Sequence, residues 1–167
     1  MTNLEINRIR ELALSSGYEC GRPLSEKEIA EYESALNVKF PSAYREFLKA
    51  VGNLAGGDEI LGSAREDWLA QPSILSETKE LRHSFPETFR RNLIPVCPDG
   101  CGNYLCLVCD GPDAGKVIFW QHDLPLSEIY PKAPPGDPSF WIESDNFTSW
   151  LTSFLLDAGA PATDGAH

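Results

Sequence analysis

Histidine is nearly absent: His83 and His122 are the only two before the C-terminal residue. No serine lies in a Gly-x-Ser-x-Gly turn and no His-Glu-x-x-His occurs, so the sequence offers neither a nucleophile elbow nor a zinc-protease helix. Asp123 adjoins His122. Neighbouring residues on a strand face opposite ways, however, so the two do not form an orienting acid–base pair. The Gly-rich run from Asn53 to Gly57 lacks the Lys-Ser/Thr of a phosphate-cradling loop and reads as a turn. No two carboxylates stand at a spacing that defines a glycosidase pair. The expectation is a protein that is not an enzyme.

Long apolar runs are also missing. None approaches the ~20 residues of a membrane span, and the N-terminus MTNLEINRIRELAL carries charges where a signal peptide needs an unbroken apolar core. A cytoplasmic location is expected. The five cysteines are an odd number in a chain of 167 residues, which fits free thiols in a reducing compartment better than a disulfide framework. A chain of this length buries about 70% of the surface it would expose unfolded, enough for one core without staples. A single domain over residues 1–159 with a mobile tail at 160–167 is the expected organisation.

Positive charge is scarce in the second half. Of the net −11, residues 1–92 carry −3, whereas residues 93–167 set ten carboxylates against Lys116 and Lys132 alone and carry −8. Such a field repels nucleic acid and anionic lipid and speeds encounter with a basic partner.

The most legible stretch is Pro23 to Gly52. Ser25 and Glu28 make a capping box, Leu24 and Ile29 stand where a hydrophobic staple would, and Tyr32 and Leu36 continue one apolar face. Pro41 forbids helix at Phe40 and opens a second helix whose Tyr44, Phe47, Leu48 and Val51 recur at i, i+3, i+4 and i+7, with Gly52 as a left-handed stop. A first helix is predicted from a Thr2/Glu5 capping box, with Leu4, Ile9, Leu12 and Ala13 as its stripe. Gly17 to Arg22 reads as a connector. Glu59 to Leu61 could form a short strand, Trp68 reads as a core aromatic, and Pro72 to His83 carries a further helical pattern.

From Asn92 the period changes to two. Pro95 makes LIPVC an edge strand or a bulged one. Asn103 to Asp110 and Lys116 to Asp123 flank the turn Gly111 to Gly115, a hairpin whose apolar strands belong in the middle of a sheet. Leu126 to Tyr130 could add a strand, Pro131 to Pro138 is a loop, and Phe140 to Ile142 is another strand. Ser144 or Asp145 then caps a helix bearing Phe147, Trp150, Leu151, Phe154 and Leu155. Cys97, Cys101, Cys106 and Cys109 invite a zinc reading, but Cys106 and Cys109 are three apart on a strand and so face opposite ways.

Several of these features, in order, resemble the SUKH superfamily, which contains the fungal Smi/Knr cell-wall assembly regulators. They are Ser25, Glu28, Ile29, Phe40, Pro41, Tyr44, Phe47, Leu48 and Gly52, then Ile94 and Pro95, the Asp99 to Tyr104 turn with Gly102, Val117 to Trp120 with His122, and Phe147 with Leu151. The resemblance implies an α+β fold, N-terminal helices and a C-terminal helix packed on a mostly antiparallel sheet, in agreement with the switch of period. It also implies a non-catalytic binding domain, an immunity protein that neutralises a toxin, many such toxins being nucleases, or a regulatory scaffold with another partner, and neither role needs a cofactor. Asp99, Asp110, Asp113 and Asp123, at the ends of the hairpin, are the candidate contacts for a basic protein toxin. Metal analysis of the purified protein is expected to find no stoichiometric zinc; one tightly bound equivalent would overturn the reading of the cysteines.

Overall fold

A computed structural model describes residues 1–57, 59–63, 73–122 and 140–159. The expectations for Trp68, the Leu126 to Tyr130 strand, the Pro131 to Pro138 loop and the 160–167 tail fall outside them.

Helix α1 (Asn3–Ser15) begins at the Thr2/Glu5 capping box, each side chain bonding the other's backbone N–H. Its buried face is Ile6, Ile9 and Ala13. Leu4, assigned to that stripe from sequence, is instead 80% exposed. It precedes Ile6 by two residues, about 200° around the helix. The expected connector contains β1 (Glu19–Cys20), which pairs antiparallel with β2 (Leu54–Ala55) inside the run read as a turn.

Helix α2 (Glu26–Leu36) starts at the Ser25/Glu28 box, and Asn37 ends it in the left-handed conformation at φ 52°. The Ser25 N–H and hydroxyl, then Arg22, hold the Glu28 carboxyl down at about 2. Helix α3 (Ser42–Ala50) follows Pro41. The step between them is fastened by Glu33, a carboxylate only 3% exposed on the otherwise apolar face of α2. It accepts the Phe40 N–H at 2.8 Å and pairs with Arg45 at 2.7 Å and Lys39 at 3.2 Å. Burial by itself would raise the Glu33 pKa, but these three donors outweigh it and hold the carboxyl below its ordinary range. Gly52 stands at φ +84°, where a Cβ would lie 2.1 Å from the Arg22 carbonyl oxygen, so glycine is required both for the turn and for the close approach.

Strands β3 (Leu93–Pro98), β4 (Tyr104–Val108), β5 (Val117–Trp120) and β6 (Phe140–Ser144) form an antiparallel sheet in that order, so the predicted hairpin is central. β3 is an edge strand among the described residues, and its register slips between Pro95 and Cys97. Both readings of Pro95 hold. One face of the sheet, with Ile94, Val96, Leu107 and Val117, joins α1, α2, α3 and the last helix, α5 (Phe147–Ala158), in the main core. The other face, with Cys106, Val108, Ile118 and Trp120, is covered by Leu81 of α4 (Ile74–Ser84) and by Phe85 and Phe89. Tyr44 sits at the centre of the main core, donating its hydroxyl to the Leu61 carbonyl at 2.8 Å and meeting Phe147 edge-on at 5.1 Å.

The cap of α5 is Asn146, not Ser144 or Asp145: its side chain accepts the Ser149 N–H at 2.8 Å. β6 runs through Ser144, which leaves room for the turn only after it. Among the described residues no helix is long and apolar enough to cross a membrane.

Glu33→Ala is expected to cost about 2–4 kcal/mol, since it strands the Phe40 N–H and leaves Arg45 short of its best partner. The folded pKa of Glu33 lies below its unfolded value near 4.5, so its contribution is full above that pH and is lost as pH falls through the folded pKa. Urea melts at several pH values should show a flatter acid limb in Glu33→Gln; an unchanged limb would contradict the clamp.

Candidate partner-binding surface

The turn between β3 and β4 is built on Asp99. One carboxylate oxygen accepts the N–H groups of Cys101 at 2.7 Å and Asn103 at 3.0 Å, and the other accepts the Asn103 side-chain amide at 2.7 Å. With its amide nitrogen so engaged, Asn103 presents its oxygen to His122, 3.3 Å from the backbone N–H and 3.0 Å from Nδ1. The ring therefore carries its proton on Nδ1. It packs against Phe85 and Trp120, with centroids at 5.6 and 6.4 Å. Gly102, at φ +90°, lies below it, where a Cβ would come within 2.9 Å of the ring.

Asp99, Gly102, Asn103 and His122 are thus brought together, and their arrangement fixes the turn to the end of β5. It is not an acid–base relay. An amide, which neither gives up nor takes a proton at ordinary pH, stands between carboxylate and imidazole. Asp99 remains at the surface as a fixed negative charge.

Asp110 and Asp113 lie at the opposite end of the hairpin. β4 separates them from Asp99 by roughly 17 Å of strand. Asp113 accepts from Lys116 at 2.7 Å, and Asp110 is exposed, its carbonyl accepting from the Asn92 side chain at 3.2 Å. Asp110 forms the shared rim of two concavities. One, of about 150 Å³, is lined by Arg90, Asn92, Pro112 and Asp113 among others. The other, of about 410 Å³, is lined by Glu33, Ser34, Asn37 and Lys39 along the end of α2. Asp123, the fourth candidate, lies outside the described residues. The signature residues Ser25, Glu28, Phe40, Pro41, Tyr44, Phe47, Leu48, Gly52 and Trp120 serve caps, the hinge and the two cores.

None of the five cysteines is disulfide-bonded: Cys20 and Cys101 are exposed, and Cys97, Cys106 and Cys109 are buried. Cys106 and Cys109 belong to opposite faces of the sheet, as the period of two predicts. Burial raises the Cys106 thiol far above its ordinary pKa; burial, then Asp110, pushes Cys109 up to about 12. Both remain protonated, the form that neither attacks an electrophile nor binds a metal. Among the described residues no three His, Cys, Asp or Glu side chains gather as metal ligands.

Sequence reasoning did not single out Glu33. The available signal was a glutamate between Ile29 and Leu36 on an apolar stripe, followed within reach by Lys39 and Arg45.

Three comparisons bear on this arrangement. The SUKH_6 family profile, described as SMI1-KNR4 cell-wall, matches residues 26–151. The SPbeta prophage-derived uncharacterized protein YokK of Bacillus subtilis (strain 168) is 22% identical over 155 residues, covering 78% of this chain and 74% of that protein. A crystal structure of a protein from Pseudomonas syringae pv. tomato superposes with a TM-score of 0.51 at 21% identity, covering 72% of this chain and 84% of that one. At that identity the likeness is one of fold.

Asn103→Ala is expected to cost about 1–2 kcal/mol and to release His122 from its single tautomer, read from the ring nitrogens by NMR. Gly102→Ala should destabilise by a similar amount or more, through its positive φ and the approach to His122. Two variants as stable as the parent would show that the turn is not fastened in this way.

Proposed function

Because the chain belongs to the SUKH_6 family of SMI1-KNR4 cell-wall proteins, we propose that residues 1–159 act in the cytoplasm as one non-catalytic binding domain, an immunity protein that neutralises a basic protein toxin. The observation that carries the reading is where charge is cancelled and where it is left. Arg22, just before α2, pairs with Glu28, and on α2 and α3 Arg45 pairs with Glu26 and Glu33, and Lys49 with Glu26 and Glu46. The helical brace is close to neutral. The sheet and α5 instead carry Asp99, Asp110, Asp145 and Asp157 exposed, with Lys116 already bound to Asp113.

Neutralisation of this kind makes and breaks no covalent bond. The acidic rim attracts the toxin at long range, and shape complementarity over the contact then occludes its working surface. A nuclease is a natural target, because its nucleic-acid site must itself be basic. Asp99 at one end of the hairpin, Asp110 and Asp113 at the other, and Asp123 next to His122 in sequence are the proposed contacts. The cell-wall description of the family profile favours a second reading, a regulatory scaffold with a non-toxin partner.

The test is co-purification with the product of an adjacent toxin gene, together with protection of cells that express it. Affinity should fall by tenfold or more between 50 mM and 500 mM salt. Binding that ignores salt would refute the electrostatic account, and failure to protect would leave the scaffold reading.

A further inference from the structure

The outer side of α5 is unlike the rest of that helix. Ser149, Ser153 and Asp157 recur every four residues, and the two serines carry too little bulk to cover the aromatic residues beside them, Trp150 and Phe154. The result is a groove of about 290 Å³ against β6, lined by Glu143, Ser144, Trp150, Phe154 and Asp157 together with the serines. Its floor is a tilted aromatic pair, with ring centroids 5.5 Å apart and planes at 34°. Trp150 is 8% exposed and Phe154 half-buried, so both are anchored in the core and only part of each ring is open to the groove. From Phe140 to Gly159 the chain has three carboxylates, Glu143, Asp145 and Asp157, and no basic residue.

This groove differs from the concavities beside Asp110, whose walls mix Arg90 and Lys39 with Glu33 and Asp113 and so select no sign of charge. Among the described residues that line it, the only charged side chains are the carboxylates of Glu143 and Asp157, and the floor is aromatic. That combination fits one side-chain chemistry best. A guanidinium is planar, stacks on an aromatic ring, and can donate two parallel hydrogen bonds to a carboxylate, whereas an ammonium is drawn to a ring only as a compact, strongly hydrated point charge and makes no such parallel pair. Trp and Arg are also the residues that most often dominate binding energy in protein interfaces.

We propose that the groove between β6 and α5 is the docking site for an arginine-bearing segment of the partner protein, its guanidinium lying on the Trp150–Phe154 floor within reach of Glu143 and Asp157. The proposal rests on the reading of the chain as a binder of a basic protein and names the place where that protein is anchored.

The probe is a labelled six-residue peptide of alternating arginine and leucine, blocked at both ends, titrated by fluorescence anisotropy. Asp157→Lys is expected to weaken binding tenfold or more without loss of fold, because a cation in the last turn of α5 suits the helix dipole. Ser153→Phe, a change at an exposed helical position that fills the groove and leaves net charge unchanged, should weaken it comparably. Glu87→Lys, which alters net charge as much as Asp157→Lys but lies beside the opposite face of the sheet, should change it less than twofold. The peptide with lysine for arginine should bind several-fold more weakly. Equal losses in the two charge reversals, an unaffected Ser153→Phe, or equal affinity for the lysine peptide would each overturn the proposal. Cell protection separates this from the underlying reading. If the wild type protects and the Asp157→Lys, Ser153→Phe double variant protects equally, the groove fails and immunity stands. If the wild type does not protect, the immunity reading fails and the peptide titration alone judges the groove.

Discussion

The buried carboxylate of Glu33 is the interaction on which the arrangement of helices turns. An ionised group so placed would be costly without partners, and its three donors come from three successive parts of the chain: Lys39, the Phe40 backbone and Arg45 of α3. A single residue of α2 therefore sets how the chain crosses the Phe40–Pro41 step and at what angle α3 leaves it. That angle carries Tyr44 and Phe47 into contact with Phe147, the first residue of α5, at 5.1 and 5.5 Å. Arg82 of α4 closes the other side, donating to the Leu36 carbonyl at the end of α2, where a cation also meets the negative end of the helix dipole. The position of α5 on the sheet, and with it the groove along β6, follows from the hinge.

Local signals made much of this readable. Capping boxes at Thr2 and Ser25, the left-handed Gly52, the Gly111 to Gly115 turn and the apolar spacing of α5 are each decided within a few residues, and each stands where the sequence places it. What escaped was decided at a distance. The β1–β2 ribbon is two residues long on each side and exists only because Glu19 and Cys20 meet a partner some thirty-five positions away. Leu4 and Ile6 are equally apolar, and which one faces inward depends on where α1 packs, not on α1 alone. Asn146 competes with Ser144 and Asp145 for the same cap, and the choice follows from how far pairing with β5 prolongs β6.

The acidic candidates show the same limit. The reading that Asp99, Asp110 and Asp113 lie at hairpin ends holds, yet a hairpin has two ends: Asp99 precedes β4 and the other two follow it. Charge counts along a sequence carry no such distinction. Nor do they reveal that Asp99 is committed to its own turn, and Asp113 to Lys116, while Asp110 keeps its side chain at an exposed rim.

The edges of the sheet decide what kind of recognition the fold can support. β3 has Pro95 and Pro98, which donate no ladder hydrogen bond, and a bulge that leaves Val96 as an extra residue facing the core. β6 shifts register as well: Val117 pairs with Ser144 and Ile118 with Ile142, so Glu143 is the extra residue. Among the described residues β3 and β6 are the outer strands, and the irregularity in each interrupts regular pairing with a further strand, the usual protection against unwanted pairing. The partner proposed above would accordingly be held by side chains rather than by backbone addition. The bulge in β6 serves both ends at once, since the residue it expels from the ladder is the carboxylate that lines the aromatic groove against α5.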